Sequence, residues 1–173
     1  MDDHRISEFN SKRQALLDRL SDLDDDVLTS RPIEGKWSVI EIVEHMVVAE
    51  REVMMGLPEK DRIKVYNRSL KNKVMLKVVM FVLGRIRVKV PSKTMLPKGE
   101  QDLTKLRALW DENQEWFRRY VESCDEAALE NAVFKHPVAG PINVRQAVDM
   151  SIAHLDAHSE QIETLLKTIG NSK

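Results

Sequence analysis

Cysteine, glycine and proline are all scarce in this chain of 173 residues, which contains one Cys, six Gly and six Pro. The single cysteine, Cys124, excludes an intramolecular disulfide framework and is typical of a reducing compartment. Few Gly and Pro residues, together with a charged fraction of 32%, favour helices over a turn-rich β-fold. The composition therefore predicts a helical protein, and the length predicts a single domain over residues 1–173.

Long apolar stretches are also missing. The N-terminal segment MDDHRISEFN is acidic and polar where a secretory signal would need an apolar core. No run approaches the roughly 20 apolar residues that a membrane-spanning helix requires. We therefore expect a cytoplasmic protein without stable membrane association.

Acidic side chains are absent from residues 62–99, which hold eleven of the 27 basic residues and none of the 28 acidic ones. A nucleic-acid interface is disfavoured, because neither a DNA-binding motif nor interleaved aromatic residues accompany these charges. A helix on a membrane surface is disfavoured too, because the apolar residues of VMLKVVMFVLG surround the helix. The pattern favours a bundle helix buried on more than one side, with solvated basic ends. Attraction of an anionic cosubstrate, or of the acidic remainder of a second subunit, stays open.

Hydrophobic periodicity indicates five helical segments, at residues 6–23, 39–56, 67–88, 103–123 and 143–169. Ser38 and Glu41 form a capping-box pattern at the start of the second segment. Asn143 is an N-cap candidate for the last segment, and Gly170 is its stop signal. No strand-like alternation is long enough to build a sheet. The predicted fold class is all-α, an antiparallel four-helix bundle in which one short extra helix is allowed.

Three of the five histidines fall on the inward faces of these helices. His154 and His158 lie four residues apart on the last segment, so their side chains share one face, and His45 lies on the second segment. A single inward histidine is more often a hydrogen-bonded core residue than a metal ligand. One metal ion, however, would satisfy three imidazoles at once, and an i,i+4 pair with a third histidine supplies three coordination positions. A zinc-protease motif is excluded, because Leu155 stands where its glutamate would be.

Two longer segments carry a recognisable combination of motifs. In GKWSVIEIVEHMVVAE (residues 35–50), Trp-Ser opens a helix that carries a histidine seven residues later. In HPVAGPINVRQAVDMSIAHLDAHSEQI (residues 136–162), a His-Pro…Gly-Pro turn precedes a helix with His-x3-His followed closely by Gln-Ile. Together they resemble the signatures of the DinB-like, YfiT-like family of metal-binding four-helix bundles. The resemblance covers most of the chain, and residues 60–100 match only in general character.

The resemblance implies one divalent metal ion, usually nickel or zinc, held by His45, His154 and His158, and it implies a homodimer. Some relatives are transferases that attach bacillithiol, mycothiol or glutathione to electrophiles, and others are thiol-dependent isomerases. We therefore expect a metal-dependent thiol S-transferase or hydrolase that activates a low-molecular-weight thiol or water against a small-molecule substrate. The alternative is a non-catalytic metal-binding bundle that acts through dimerisation or partner binding.

Other residues near the three histidines are candidates for supporting roles. Metal-bound imidazoles usually donate their second N–H to a carboxylate or carbonyl group. Glu41, one turn before His45, and Gln161, three residues after His158, are placed to accept such bonds, although helix capping alone accounts for Glu41. Trp37 belongs either to the core or to the rim of the site. His4 is assigned to the terminus and His136 to a turn, and both are left out of the site.

Overall fold

The computed structural model describes residues 3–58, 64–83, 92–136 and 139–171. Its α-helices are α1 (Asp3–Ser21), α2 (Asp25–Thr29), α3 (Val39–Met55), α4 (Leu70–Leu83), α5 (Leu103–Ser123), α6 (Glu126–Glu130) and α7 (Val144–Gly170). A short 3₁₀ turn covers Lys93–Met95, and two strands, β1 (Phe134–His136) and β2 (Gly140–Ile142), form a hairpin. The long helices α1, α3, α5 and α7 pack as a ring. The expected all-α four-helix bundle is confirmed.

The directions of the four bundle helices follow from their side-chain pairings. Helices α1 and α7 run parallel, because ion pairs spaced seven residues apart on both helices join Arg5 to Asp149, Lys12 to Asp156 and Arg19 to Glu163. Helix α5 opposes α1, because Arg13 pairs with Asp111 while the later Asp18 pairs with the earlier Arg107. Helix α5 therefore runs in the direction opposite to that of α1 and α7.

Helix α5 runs parallel to its neighbour α3. The amide of Asn113 donates to the Val47 carbonyl at 3.0 Å, and the amide of Gln114 donates to Glu50 at 2.6 Å, so the sequence number rises in the same sense on both helices. Because two consecutive parallel helices begin at the same end of a bundle, residues 56–102 must cross its whole length. A long crossover of this kind replaces the short loop of a simple antiparallel pair.

Capping boxes begin the two helices that carry the inward histidines. The Ser38 hydroxyl accepts from the Glu41 backbone N–H, and the Glu41 carboxylate accepts from the Ser38 backbone N–H. Asn143 and Gln146 make the same reciprocal pair at the start of α7. Each box satisfies two of the amide groups that a helix N-terminus leaves without an intrahelical partner. Both predicted helix starts are confirmed to the residue.

Helix α4 is the element for which the sequence interpretation was wrong. The prediction was burial on more than one side, yet the described side chains of α4 include none that is fully buried. Val74, Val78 and Phe81 are exposed by 51%, 44% and 58%, and Leu70 by 77%. The ring of α1, α3, α5 and α7 is already closed, so α4 lies outside it and packs on one side only, against α7 and β2.

The β-hairpin leads into α7. Its three-residue strands are too short to show the alternation from which strands are recognised in a sequence. Gly140 has φ +75°, and a Cβ atom there would lie 2.5 Å from the Asn72 amide nitrogen of α4. Glycine is therefore favoured by the backbone conformation, and a larger residue would also have to displace the end of the Asn72 side chain. Within the ranges that the structure describes, no helix has the length and apolar character needed to cross a bilayer.

Candidate metal centre

His45, His154 and His158 converge at one point between α3 and α7. One ring nitrogen from each lies within 4.8 Å of those of the other two. The ring centroids are 5.3 Å apart for His45 and His154, 5.0 Å for His45 and His158, and 4.5 Å for His154 and His158. The antiparallel contact of α3 with α7 places the single histidine opposite the i,i+4 pair. The structure thus brings together the three residues that the sequence singled out.

The side chain of His45 is held in one tautomer. Its Nδ1 lies 2.8 Å from the carbonyl oxygen of Met95, at the end of the 3₁₀ turn. A carbonyl oxygen can only accept a hydrogen bond, so Nδ1 carries the proton and Nε2 of the neutral ring keeps its lone pair. This is the arrangement in which a histidine binds a metal through Nε2 while a carbonyl group fixes the ring.

His158 is fixed in the same way by Gln161. The Nδ1 atom of His158 lies 3.0 Å from Oε1 of Gln161, which leaves Nε2 facing the cluster. That Nε2 lies 3.1 Å from Nε2 of His154. Two nitrogen ligands at 2.0–2.1 Å from a tetrahedral ion are separated by about 3.3 Å, so the observed spacing fits an ion between the two rings.

Burial keeps all three imidazoles neutral at ordinary pH. It lowers the pKa of His45 against the opposing effect of the Met95 hydrogen bond. Burial lowers the pKa of His158 to about 4, with a further contribution from the neighbouring His45. Burial and the proximity of His158 and His45 hold the pKa of His154 well below its usual value. Because a metal needs the neutral imidazole, these shifts favour ligation over protonation.

The donor set fits a transition-metal ion with open coordination positions. No further His, Cys, Asp or Glu of the described residues joins the group of three. Three imidazoles and no thiolate or carboxylate suit zinc, nickel, copper and iron alike. His45 is buried on α3, and His154 and His158 are partly buried on α7. Three protein ligands, with no fourth among the described residues, are typical of a catalytic site rather than a closed structural one.

The segment before α5 supplies contacts that sequence reasoning missed. Glu44, the neighbour of His45, is buried, and its Oε2 accepts the backbone N–H groups of Lys98 at 3.1 Å and Gly99 at 2.8 Å. Nothing in the sequence identifies Met95 or Glu44 as a partner. Met95 acts through its backbone carbonyl, which every residue has, and Glu44 occupies an ordinary position in a helix. Their pairing depends on where residues 92–99 fold back onto α3.

The remaining candidates have distinct positions. Trp37 lies beside the cluster, with its ring centroid 5.0 Å from that of His45. Glu41 caps α3 and pairs with Arg31, so its capping role is confirmed and no contact with His45 is seen. His4 is exposed on α1. The Nδ1 atom of His136, at the end of β1, accepts the Ala139 N–H, while Pro137 lies outside the described residues.

Comparisons with known proteins agree with this architecture. The family model of the DinB superfamily matches residues 8–162. The solved structure of YfiT from Bacillus subtilis, described as a probable metal-dependent hydrolase with an unusual four-helix bundle topology, superimposes with a TM-score of 0.60 at 16% identity. That match covers 97% of this chain and 87% of YfiT, and at this identity it establishes the shared fold. A search of curated proteins found no match. The family match spans most of the chain, and the protein therefore belongs to the DinB superfamily.

Proposed function

We propose that this protein is a metal-dependent thiol S-transferase that holds one divalent ion, nickel or zinc, with His45, His154 and His158. The observation that carries the proposal is the convergence of three neutral imidazoles, two of which have their Nε2 lone pairs aimed at one point by Met95 and Gln161. The description of YfiT as a probable metal-dependent hydrolase supports metal chemistry on this fold. The single cysteine of the chain is consistent with work in a reducing cytoplasm.

The protein's own residues would bind the metal ion and keep the histidine rings in a fixed orientation. One divalent ion bound by the three imidazoles would supply positive charge that favours the anion of a thiol or of water, and hence a nucleophile at neutral pH. The partners of His45 and His158 hold the rings in place, and the absence of a fourth ligand among the described residues leaves room for the small-molecule substrate. Trp37 supplies an apolar wall beside His45.

The first experiment asks whether the site binds a metal. We expect about one divalent ion per chain, measured by elemental analysis after purification without a histidine tag. His154→Ala should lose that ion, whereas His4→Ala, a substitution of an exposed histidine on α1, should keep it. Absence of metal in the wild type after incubation with zinc and with nickel would contradict the proposal.

A second experiment separates thiol transfer from hydrolysis. The metal-loaded protein is incubated with an aryl halide electrophile and one thiol. Bacillithiol, mycothiol and glutathione are tested in separate reactions. In transfer, the thiol sulfur forms a bond to the electrophilic carbon, the halide leaves with its electron pair, and the thiol proton is released to solvent. Transfer predicts thioether formation that His154→Ala abolishes. Turnover of ester or amide substrates without any thiol would instead identify a hydrolase.

A non-catalytic role through dimerisation is the second candidate, and the outer face of α4 favours it. We define this face by four exposed apolar side chains that recur at helical spacing: Leu70, Val74, Val78 and Phe81. It lies within the segment 62–99 that holds eleven basic residues, while all 28 acidic residues lie elsewhere in the chain. A second copy therefore offers both apolar and oppositely charged surface. Stable dimers without any turnover of the substrates above would favour this alternative.

A further inference from the structure

Residues 92–99 form a strap that lies along the N-terminal half of α3. Its 3₁₀ turn, Lys93–Met95, begins with a capping bond from the Thr94 N–H to the Ser92 hydroxyl. The strap forms hydrogen bonds with α3 at two adjacent residues. His45 binds the Met95 carbonyl, and Glu44 binds the N–H groups of Lys98 and Gly99.

The hydrogen bonds of Glu44 to the strap depend on an unusual backbone conformation at Gly99. Gly99 has φ +72°, in the left-handed region that glycine adopts without strain. Successive N–H groups turned toward one point form an anion-binding concavity, and here a single carboxylate oxygen accepts both of them. Glu44 is 5% exposed, and hydrogen bonds to a buried carboxylate are stronger than those between neutral groups.

We propose that Glu44 is a positioning residue of the metal centre, which holds the strap so that the Met95 carbonyl stays on Nδ1 of His45. The proposal rests on the metal site proposed above and extends it to a residue that does not touch the metal. Glu44 and His45 are consecutive on a rigid helix, and their partners on the strap are only three and four residues apart. Release of Lys98 and Gly99 therefore frees Met95 to move, and the His45 ring loses the group that selects its tautomer.

The substitutions are chosen to separate positioning from bulk stability. Glu44→Leu removes both hydrogen bonds and retains an apolar side chain of similar size, while Glu44→Gln keeps one uncharged acceptor. Gly99→Ala disturbs the same contact from the other side, since its Cβ meets only ordinary contacts but the backbone conformation is strained. Glu50→Leu is the matched control, because it makes the same change at a second buried glutamate of α3, whose hydrogen-bond partners lie on α5.

Two readouts test the proposal on the full-length chain. The first is the ¹⁵N chemical shifts of the His45 ring in metal-free protein, which report its tautomer. The second is calorimetric titration with Zn²⁺. We expect wild type and Glu50→Leu to show a single Nδ1–H tautomer, and Glu44→Leu and Gly99→Ala to show a mixture. Zinc affinity should fall about 10–100-fold in Glu44→Leu, the usual loss for a partner of a metal-bound histidine, and less in Glu44→Gln.

The outcomes are distinguishable. A folded Glu44→Leu variant with unchanged tautomer and unchanged zinc affinity would overturn the positioning role while leaving the metal site intact. Equal losses in Glu50→Leu would overturn it as well, since the effect would then be one of core stability. Failure of the wild type to bind either zinc or nickel would overturn the proposed function, and with it any role for Glu44 at a metal centre.

Discussion

Glu50 is a carboxylate enclosed by the bundle core. Its oxygens accept hydrogen bonds from the Trp110 indole N–H at 2.9 Å and from the Gln114 amide at 2.6 Å. Burial raises the pKa of Glu50 to about 7, although both hydrogen bonds and the charge of Arg13 act in the opposite direction. The native state therefore keeps a proton on Glu50 at pH values where the unfolded chain, with an ordinary pKa of 4.5, has already lost it.

This difference makes stability depend on pH in a definite direction. Because the native state binds the extra proton, the contribution of Glu50 is fully present below pH 4.5 and is lost as pH rises to about 7. We expect Glu50→Gln, in which Gln114 can rotate to donate or accept, to be roughly 1–3 kcal/mol more stable than wild type at pH 8. Urea unfolding at pH 5, 6, 7 and 8 measures the difference, which should grow with pH and level off above 7. A difference that is constant across this range would contradict the assignment.

At the scale of the element, the ends of α3 and α7 determine where the histidines lie. Because each helix has a defined first residue, the register of His45, and of the i,i+4 pair on α7, is set relative to its cap. Asn143 does more than cap α7, since its side-chain amide also donates to the Glu130 carbonyl at 3.1 Å. It thereby links α7 to the end of α6. Asn143 is buried, whereas Asp102, the cap of α5, makes an exposed hydrogen bond.

The two caps should therefore differ when they are removed. Asn143→Ala is expected to lower the free energy of unfolding by about 1–2 kcal/mol, because it loses the cap and leaves a part-buried carbonyl without its donor. Asp102→Ala, the control, should cost about 0.5–1 kcal/mol. Urea denaturation of both variants provides the comparison. Equal losses would show that the bond to Glu130 contributes nothing measurable.

In the whole molecule, the parallel arrangement of α3 and α5 determines the path of the chain between them. Since both helices begin at the same end, the chain must return along the bundle between them, and α4 and the strap both belong to that return. The strap lies against the three-histidine cluster, since the Met95 carbonyl contacts His45 and Glu44 accepts the Gly99 N–H. The outer face of α4 meanwhile remains exposed.

Dimerisation through that face can be tested with one substitution. Val74→Asp places an acidic group at its middle and should raise the dissociation constant of a homodimer at least tenfold, measured by sedimentation velocity. Val74→Leu keeps the surface apolar at the same position and should leave the dimer intact. A wild type that is monomeric at micromolar concentration, or a dimer that Val74→Asp does not weaken, would contradict this interface.

The local features were predictable because they depend on neighbours in sequence. The start of α3 and of α7 follows from side chains that bond backbone groups two or three residues away, and the spacing of His154 and His158 follows from the helical period. The same period failed for α4, because an apolar helix outside a closed ring and one inside it have the same composition. Gln161 was a candidate from its spacing, and its bond to His158 is present.

The five longer helices, the caps of α3 and α7, and the inward faces of the histidines could be predicted from the sequence, since these depend on propensity, hydrogen bonding and periodicity within a few residues. Long-range packing brings His45 to the pair on α7, places Met95 and Glu44 around it, and leaves α4 outside the ring. Those arrangements depend on which helices run parallel and on the path of residues 56–102. Packing of the whole bundle determines both, and no short stretch of sequence encodes either one.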